Sequence, residues 1–162
     1  ILSNQPNVRV LIVGDNEAGY GGEGGAISLR ESMLKELEGK LDLNRIHFLG
    51  RIPHPQLMAV LQASWVHVYL SFPFILGWSL IEAMACGCCI VGSQGMPVAE
   101  VIQDGVEGIL TPMNDSALLA EKVIRLLSDS EARSRLGNAA RRRALLYDQR
   151  LTLNQLSELL NT

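Results

Sequence analysis

The stretch SFPFILGWSLIEAMACGCCIVGS, residues 71–93, decides how the chain folds. A turn rich in Pro and Gly leads into GWSLIEAMACG, whose apolar residues recur at helical spacing and which Gly87 closes. CCIVGS then follows as an apolar run of strand length. Glu82 is the one charged side chain in the whole stretch. A carboxylate buried without a partner loses several kcal/mol of hydration or has to stay protonated. Glu82 therefore either has a structural partner or receives a ligand.

The same punctuation extends to both sides. VRVLIVG (8–14) is a near-continuous apolar run ending in Gly, as in a strand covered on both faces. A glycine-rich loop precedes a helix over about 26–41, with Leu29, Met33, Leu34 and Leu37 at three- and four-residue spacings. RIHFLG (45–50) reads as the second strand. PHPQLMAVLQAS (53–64) is a helix opened by prolines, with Leu57, Val60 and Leu61 on one face. WVHVYLS (65–71) and CCIVGS (88–93) are the third and fourth strands, MPVAEVIQDG (96–105) is a short helix ending at Gly105, and EGILTP (107–112) is the fifth strand. Asn114 or Asp115 caps a helix to about 127, Asp129 or Ser130 the next to about 147, and a last helix covers about 150–160. Strands and helices alternating at this length predict an α/β fold, a Rossmann-like doubly wound parallel sheet in three α/β/α layers with right-handed crossovers. Ligands of such sheets bind at the carboxyl ends of the strands, where strand order reverses. The loops after Val13, Leu49, Leu70 and Val91 are the expected lining.

The totals narrow the function. With 162 residues the chain is the size of one domain, and a formal charge of −3 provides no footprint for nucleic acid. Arg141, Arg142 and Arg143 fall in a helical run and read as a solvated face. No apolar run reaches the length of a membrane span, and ILSNQPNVRV lacks the pattern of an export signal. Cys86, Cys88 and Cys89 lie too close together for a disulfide framework and lack a fourth metal ligand, so they read as small buried hydrophobes of a cytoplasmic protein with no metal site.

Three sets of residues carry candidate chemistry. GDNEAGYGGEGG (14–25) holds Gly19, Gly21 and Gly24 at the G-x-G-x-x-G spacing, but Gly19 stands several residues beyond the strand. The segment reads as a mobile glycine loop, with an NAD site as the rival. His47 and His67 fall inside strands as packed imidazoles, whereas His54, between two prolines, is open in role. At the helix start, free N–H groups of Gly77, Trp78, Ser79 and Leu80 point outward and suit phosphate. Glu82, one turn on, suits the vicinal hydroxyls of a ribose. Two readings stand side by side: a nucleotide pocket, and a helix Glu paired with a neighbouring basic group or backbone.

The run SLIEAMACGCCIVGSQGMPVAEVIQDGVEGILTPMNDSALLAEKVIRLLSD (79–129), preceded by VRVLIVGD and IHFLGRIPHPQL, resembles the donor-binding half of a GT-B glycosyltransferase and is similar to the large retaining family numbered 4. The resemblance implies a nucleoside diphosphate sugar as donor, no metal or cofactor, and a reaction that retains anomeric configuration. Within it, Glu82 corresponds to the second glutamate of a paired-glutamate motif and holds the ribose. Ile52 reads the base through its backbone, and Gly77, Trp78, Ser79 and Leu80 meet the diphosphate and the sugar. The first glutamate of the motif, which contacts the transferred sugar, is replaced by Phe74, and Gly-Phe-Gly is replaced by Ile75, Leu76 and Gly77. A glycosyltransferase-like binding or assembly module without donor chemistry is therefore the alternative function. The expected organisation is a single nucleotide-sugar-binding domain over 1–162 without its first strand and without the N-terminal acceptor domain, its partner in the same chain. The family's Gly-Arg and Lys, which neutralise the diphosphate, have no counterpart here. Charge-assisted hydrogen bonds contribute about 1.5–3 kcal/mol each, so weak donor binding and no turnover are expected of these residues alone.

Overall fold

The computed structural model describes residues 1–14, 29–72 and 76–160. The glycine loop with Gly19, Gly21 and Gly24 lies outside them, as does Phe74. The strands are β1 (Val10–Val13), β2 (Ile46–Gly50), β3 (His67–Tyr69), β4 (Ile90–Ser93) and β5 (Gly108–Thr111). The helices are α1 (Leu29–Leu37), α2 (His54–Ala63), α3 (Trp78–Ala85), α4 (Val98–Val101), α5 (Ser116–Ser128), α6 (Ser130–Ala144) and α7 (Gln149–Leu160). Every strand pairing is parallel, and a helix follows each strand, as the Rossmann-like α/β reading requires. The pairings fall in two groups, β1 with β2 and β3–β4–β5 in sequence order. The groups belong to two compact units, Ile1–Leu57 and Met58–Thr162.

In the first unit, Arg45 ties the beginning of the chain to β2. Its Nη1 donates to the Gln5 carbonyl at 2.9 Å and its Nη2 to the Leu2 carbonyl at 2.9 Å. β1 departs from the expected strand covered on both faces, since Leu11, Ile12 and Val13 are exposed. Among the described residues β1 is hydrogen-bonded to one strand, β2.

The second unit is built around α3. Leu80, Ala83 and Met84, at i, i+3 and i+4, are fully buried on one face of this helix. Burial of a Leu or Met side chain contributes about 1.5–3 kcal/mol. The helix ends in a Schellman closure. The Gly87 N–H donates to the Met84 carbonyl at 2.9 Å and the Cys88 N–H to the Ala83 carbonyl at 3.0 Å, while Gly87 adopts φ +78°. The expected Gly stop is therefore confirmed in detail. β4 follows directly, with all four of its residues buried.

The expected caps of the last helices also form. Asp115 Oδ1 accepts the Leu118 N–H at 2.8 Å and Asp129 Oδ1 the Ala132 N–H at 2.8 Å. Beyond α6 the chain tightens into a 3₁₀ turn at Leu145–Tyr147. α4 is shorter than its sequence suggests, ending at Val101 and not at Gly105. Side chains take over the backbone there: Glu107 Oε2 accepts the Gln103 N–H at 2.9 Å and Asp104 Oδ1 the Leu110 N–H at 2.8 Å. Gly105, at φ +77°, turns the chain toward β5. Arg141 and Arg142 are exposed as expected, but Arg143 is half-buried and its Nη2 donates to the Glu100 carbonyl at 3.3 Å.

α6 crosses α3 at the Schellman glycine. A Cβ on Gly137 would lie 2.2 Å from the Gly87 carbonyl oxygen, a backbone atom that cannot swing away. Alanine is the better helix former by about 1 kcal/mol, whereas overpacking against fixed backbone costs about 1–3 kcal/mol and forces the helices apart. The steric cost wins. Gly137→Ala is expected to lower the stability measured by urea denaturation, and Gly137→Val to lower it further.

Candidate functional site

The candidate site is assembled on the loop that joins β3 to α3. Tyr69 ends β3, and its hydroxyl accepts the Gly77 N–H at 3.0 Å. Ser93, buried at the end of β4, holds the other side of the loop. Its Oγ accepts the Ser71 N–H at 3.1 Å and donates to the Ser71 carbonyl at 3.0 Å. The loop is thus tied at both ends to the carboxyl ends of parallel strands, the edge where ligands of such sheets bind. Neither Tyr69 nor Ser93 stood out in the sequence, because a lone hydroxyl in a strand carries no pattern.

At the start of α3 the four expected amides divide. The Gly77 N–H is taken by Tyr69, and the Leu80 N–H donates to the Gly77 carbonyl at 3.1 Å. Gly77 is the cap residue and has no side chain to close the helix. Among the described residues no acceptor takes the N–H of Trp78 or Ser79. These two amides, at the positive end of the helix dipole, are the groups offered to an anion. The Leu80 side chain is fully buried and serves the core, while Trp78 and Ser79 are exposed.

Glu82 is half-buried, so the desolvation implied by its apolar surroundings in sequence is only partly realised. Four residues after Trp78, it shares the helix face of that residue, away from the buried face. Its charge reaches Cys86: burial raises this thiol first, Glu82 raises it further and Arg141 draws it partly back. Burial likewise pushes the Cys88 thiol up to about 12 and the Cys89 thiol up to about 11. All three cysteines are free, and Cys88 Sγ donates to the Leu61 carbonyl at 3.1 Å. Cys88 and Cys89 belong to the core as expected, whereas Cys86 is half-buried and not part of it.

Ile52 is half-buried in the turn between β2 and α2, in the first unit. His54 opens α2 and is exposed. His67 is a strand residue whose backbone N–H donates to the Cys89 carbonyl at 2.8 Å, and burial lowers its imidazole from the ordinary value of 6.5. A cavity of about 450 Å³ lies elsewhere, around the beginning of β5, where Gln103, Asp104, Glu107 and Arg143 line it. Among the described residues no group of three or more His, Cys, Asp or Glu is placed to hold a metal ion, and no helix is long and apolar enough to cross a membrane.

Comparison with known proteins identifies the family of the chain. The family model described as glycosyl transferases group 1 matches residues 1–143. D-inositol 3-phosphate glycosyltransferase of Corynebacterium efficiens is 34% identical over 158 residues, covering 96% of this chain and 35% of that protein. Phosphatidyl-myo-inositol mannosyltransferase of Mycobacterium leprae is 30% identical over 160 residues, covering 96% of this chain and 38% of that protein. The chain therefore spans little more than a third of the length of these relatives. Among solved structures, Anabaena HepE in complex with UDP-glucose superposes with a TM-score of 0.80 at 25% identity, covering 97% of this chain and 42% of that one.

Two outcomes are expected from the loop and its strand. Tyr69→Phe deletes the acceptor of the Gly77 N–H and should cost about 0.5–1.5 kcal/mol, with faster hydrogen exchange at the Gly77 amide as the local readout. For His67 the folded state disfavours the charged imidazole, so its contribution is complete above the unfolded value of 6.5 and is lost as pH falls below it. Urea midpoints at about pH 7.5 and about pH 5.5 should differ less in His67→Phe than in the unaltered protein.

Proposed function

We propose, because the chain belongs to the glycosyl transferases group 1 family, that these residues form the nucleotide-sugar-binding domain of a retaining glycosyltransferase. The whole protein would transfer a sugar from a nucleoside diphosphate sugar to an acceptor held by a second, N-terminal domain of the same chain. One observation carries the reading. The uncapped start of α3 stands at the carboxyl end of β3 with the Trp78 and Ser79 amides unengaged among the described residues, and Glu82 follows one turn later on the same face.

The roles follow from the chemistry. Amides at a helix start donate hydrogen bonds to a diphosphate, and a carboxylate accepts hydrogen bonds from two hydroxyls of the ribose. During transfer, negative charge grows on the departing diphosphate, and fixed N–H dipoles stabilise it without reorganising. The backbone at Ile52 contributes to the base. The family's cationic clamp has no counterpart in these residues, so alone they bind donor weakly and do not turn over. The site needs neither a metal nor an organic cofactor, and the protein works in the cytoplasm. That UDP-glucose occupies the HepE structure supports the donor class.

The test is titration of UDP-, GDP- and ADP-sugars into the full-length protein by calorimetry. One of them should bind, and Glu82→Ala should weaken it roughly ten- to hundred-fold, the range of a charge-assisted hydrogen bond. Absence of binding by all three, or an unchanged affinity in Glu82→Ala, would replace the transferase reading with that of a non-catalytic binding module.

A further inference from the structure

Half of the eight aromatic residues of the chain, Tyr69, Phe72, Phe74 and Trp78, fall within ten positions, in and around the loop that joins β3 to α3. Tyr69 is used internally, its hydroxyl holding Gly77. Phe72 is 72% exposed and Trp78 79% exposed. The other tryptophan, Trp65, is also exposed but carries the Arg133 guanidinium over its ring at 4.6 Å. An indole turned to water at the first residue of a helix, whose next apolar neighbour Leu80 is fully buried, contributes nothing to the core. Its place on the helix is informative. Side chains on a helix lean toward its N-terminus, and residues four apart lie about 5–6 Å from each other, so the Glu82 carboxylate and the Trp78 indole form one continuous strip.

A nucleoside diphosphate sugar has a fixed order: base, ribose, two phosphates, sugar. With the ribose at Glu82 and the phosphates at the Trp78 and Ser79 amides, the next group along the molecule emerges on the N-terminal side, where the indole projects. A pyranose has a face of C–H groups that is as apolar as its rim of hydroxyls is polar, and an aromatic ring is the side chain that matches the first without competing for the second. We infer that the Trp78 indole is the platform for the transferred sugar, packing against its C–H face and setting specificity for the sugar part of the donor. This rests on the donor-site reading given above and adds a specificity-determining side chain to it.

The experiment compares paired probes, UDP-glucose with UDP and GDP-mannose with GDP, on the full-length protein. Because Trp78 is so exposed, Trp78→Ala should leave the thermal midpoint unchanged. It should raise the Kd of the sugar nucleotide roughly three- to ten-fold while leaving the Kd of the bare nucleoside diphosphate unaltered, and Trp78→Phe should recover most of the loss. The part of the tryptophan emission that is lost in Trp78→Phe should change on adding the sugar nucleotide and change less with the nucleoside diphosphate. Equal weakening of both members of a pair, or of neither, would overturn the assignment of the indole while the Glu82 result stands. If the unaltered protein binds no probe, or Glu82→Ala changes neither member, the donor site itself fails and the assignment falls with it.

Discussion

The second unit depends on one close approach, that of helix α6 to the Schellman turn ending α3. The carbonyl of Gly87 and the Cα of Gly137 meet with no room for a side-chain carbon between them. Two glycines are required for different reasons. Gly87 supplies a positive φ that closes the helix with hydrogen bonds to Met84 and Ala83, and Gly137 supplies space. The contact fixes the C-terminal end of α3 while Leu80 and Met84 anchor its buried face. A helix held in this way at one end and along one side presents its other end as a rigid fixture. Rigid N–H groups are what an anion site needs, since they incur no reorganisation when the ligand arrives.

Much of the sequence signal that looks functional is used to build this fixture. Asp104, Gly105 and Gly108 form part of the motif that suggested the family, yet in the structure they shape the approach to β5. Asp104 accepts the Leu110 N–H, Gly105 turns the chain, and a Cβ on Gly108 would lie 3.0 Å from the Ile90 carbonyl. Glu82 is the exception within the same motif. It leaves the apolar face of α3 to its neighbours and stands on the face shared with Trp78.

The legible parts of the fold were those determined by local pattern. All five strands, the Gly87 stop and the Asp115 and Asp129 caps were readable because each depends on residues within a few positions of one another. What escaped depended on contacts across the chain. α4 ends early where Glu107 reaches back to satisfy the Gln103 N–H, which a longer helix would have used, and Asp104 reaches forward to the Leu110 N–H of β5. The outward amides at α3 number two and not four because Tyr69 and the Gly77 carbonyl engage the others. That Trp78 faces water while Leu80, two residues on, is fully buried depends on how α3 packs, which no local pattern records.

The tether between Ser93 and Ser71 has a bearing on how the loop behaves in different media. It consists of one neutral hydroxyl that both gives and receives a hydrogen bond, with no ionisable group involved. Such a link is indifferent to ionic strength and to acidity over the physiological range, whereas attraction of a doubly charged phosphate chain to helix amides is screened by dissolved ions. Under the proposed donor reading the shape of the mouth is uncoupled from the strength of its grip: added electrolyte would weaken capture of an anion yet leave the waiting geometry intact.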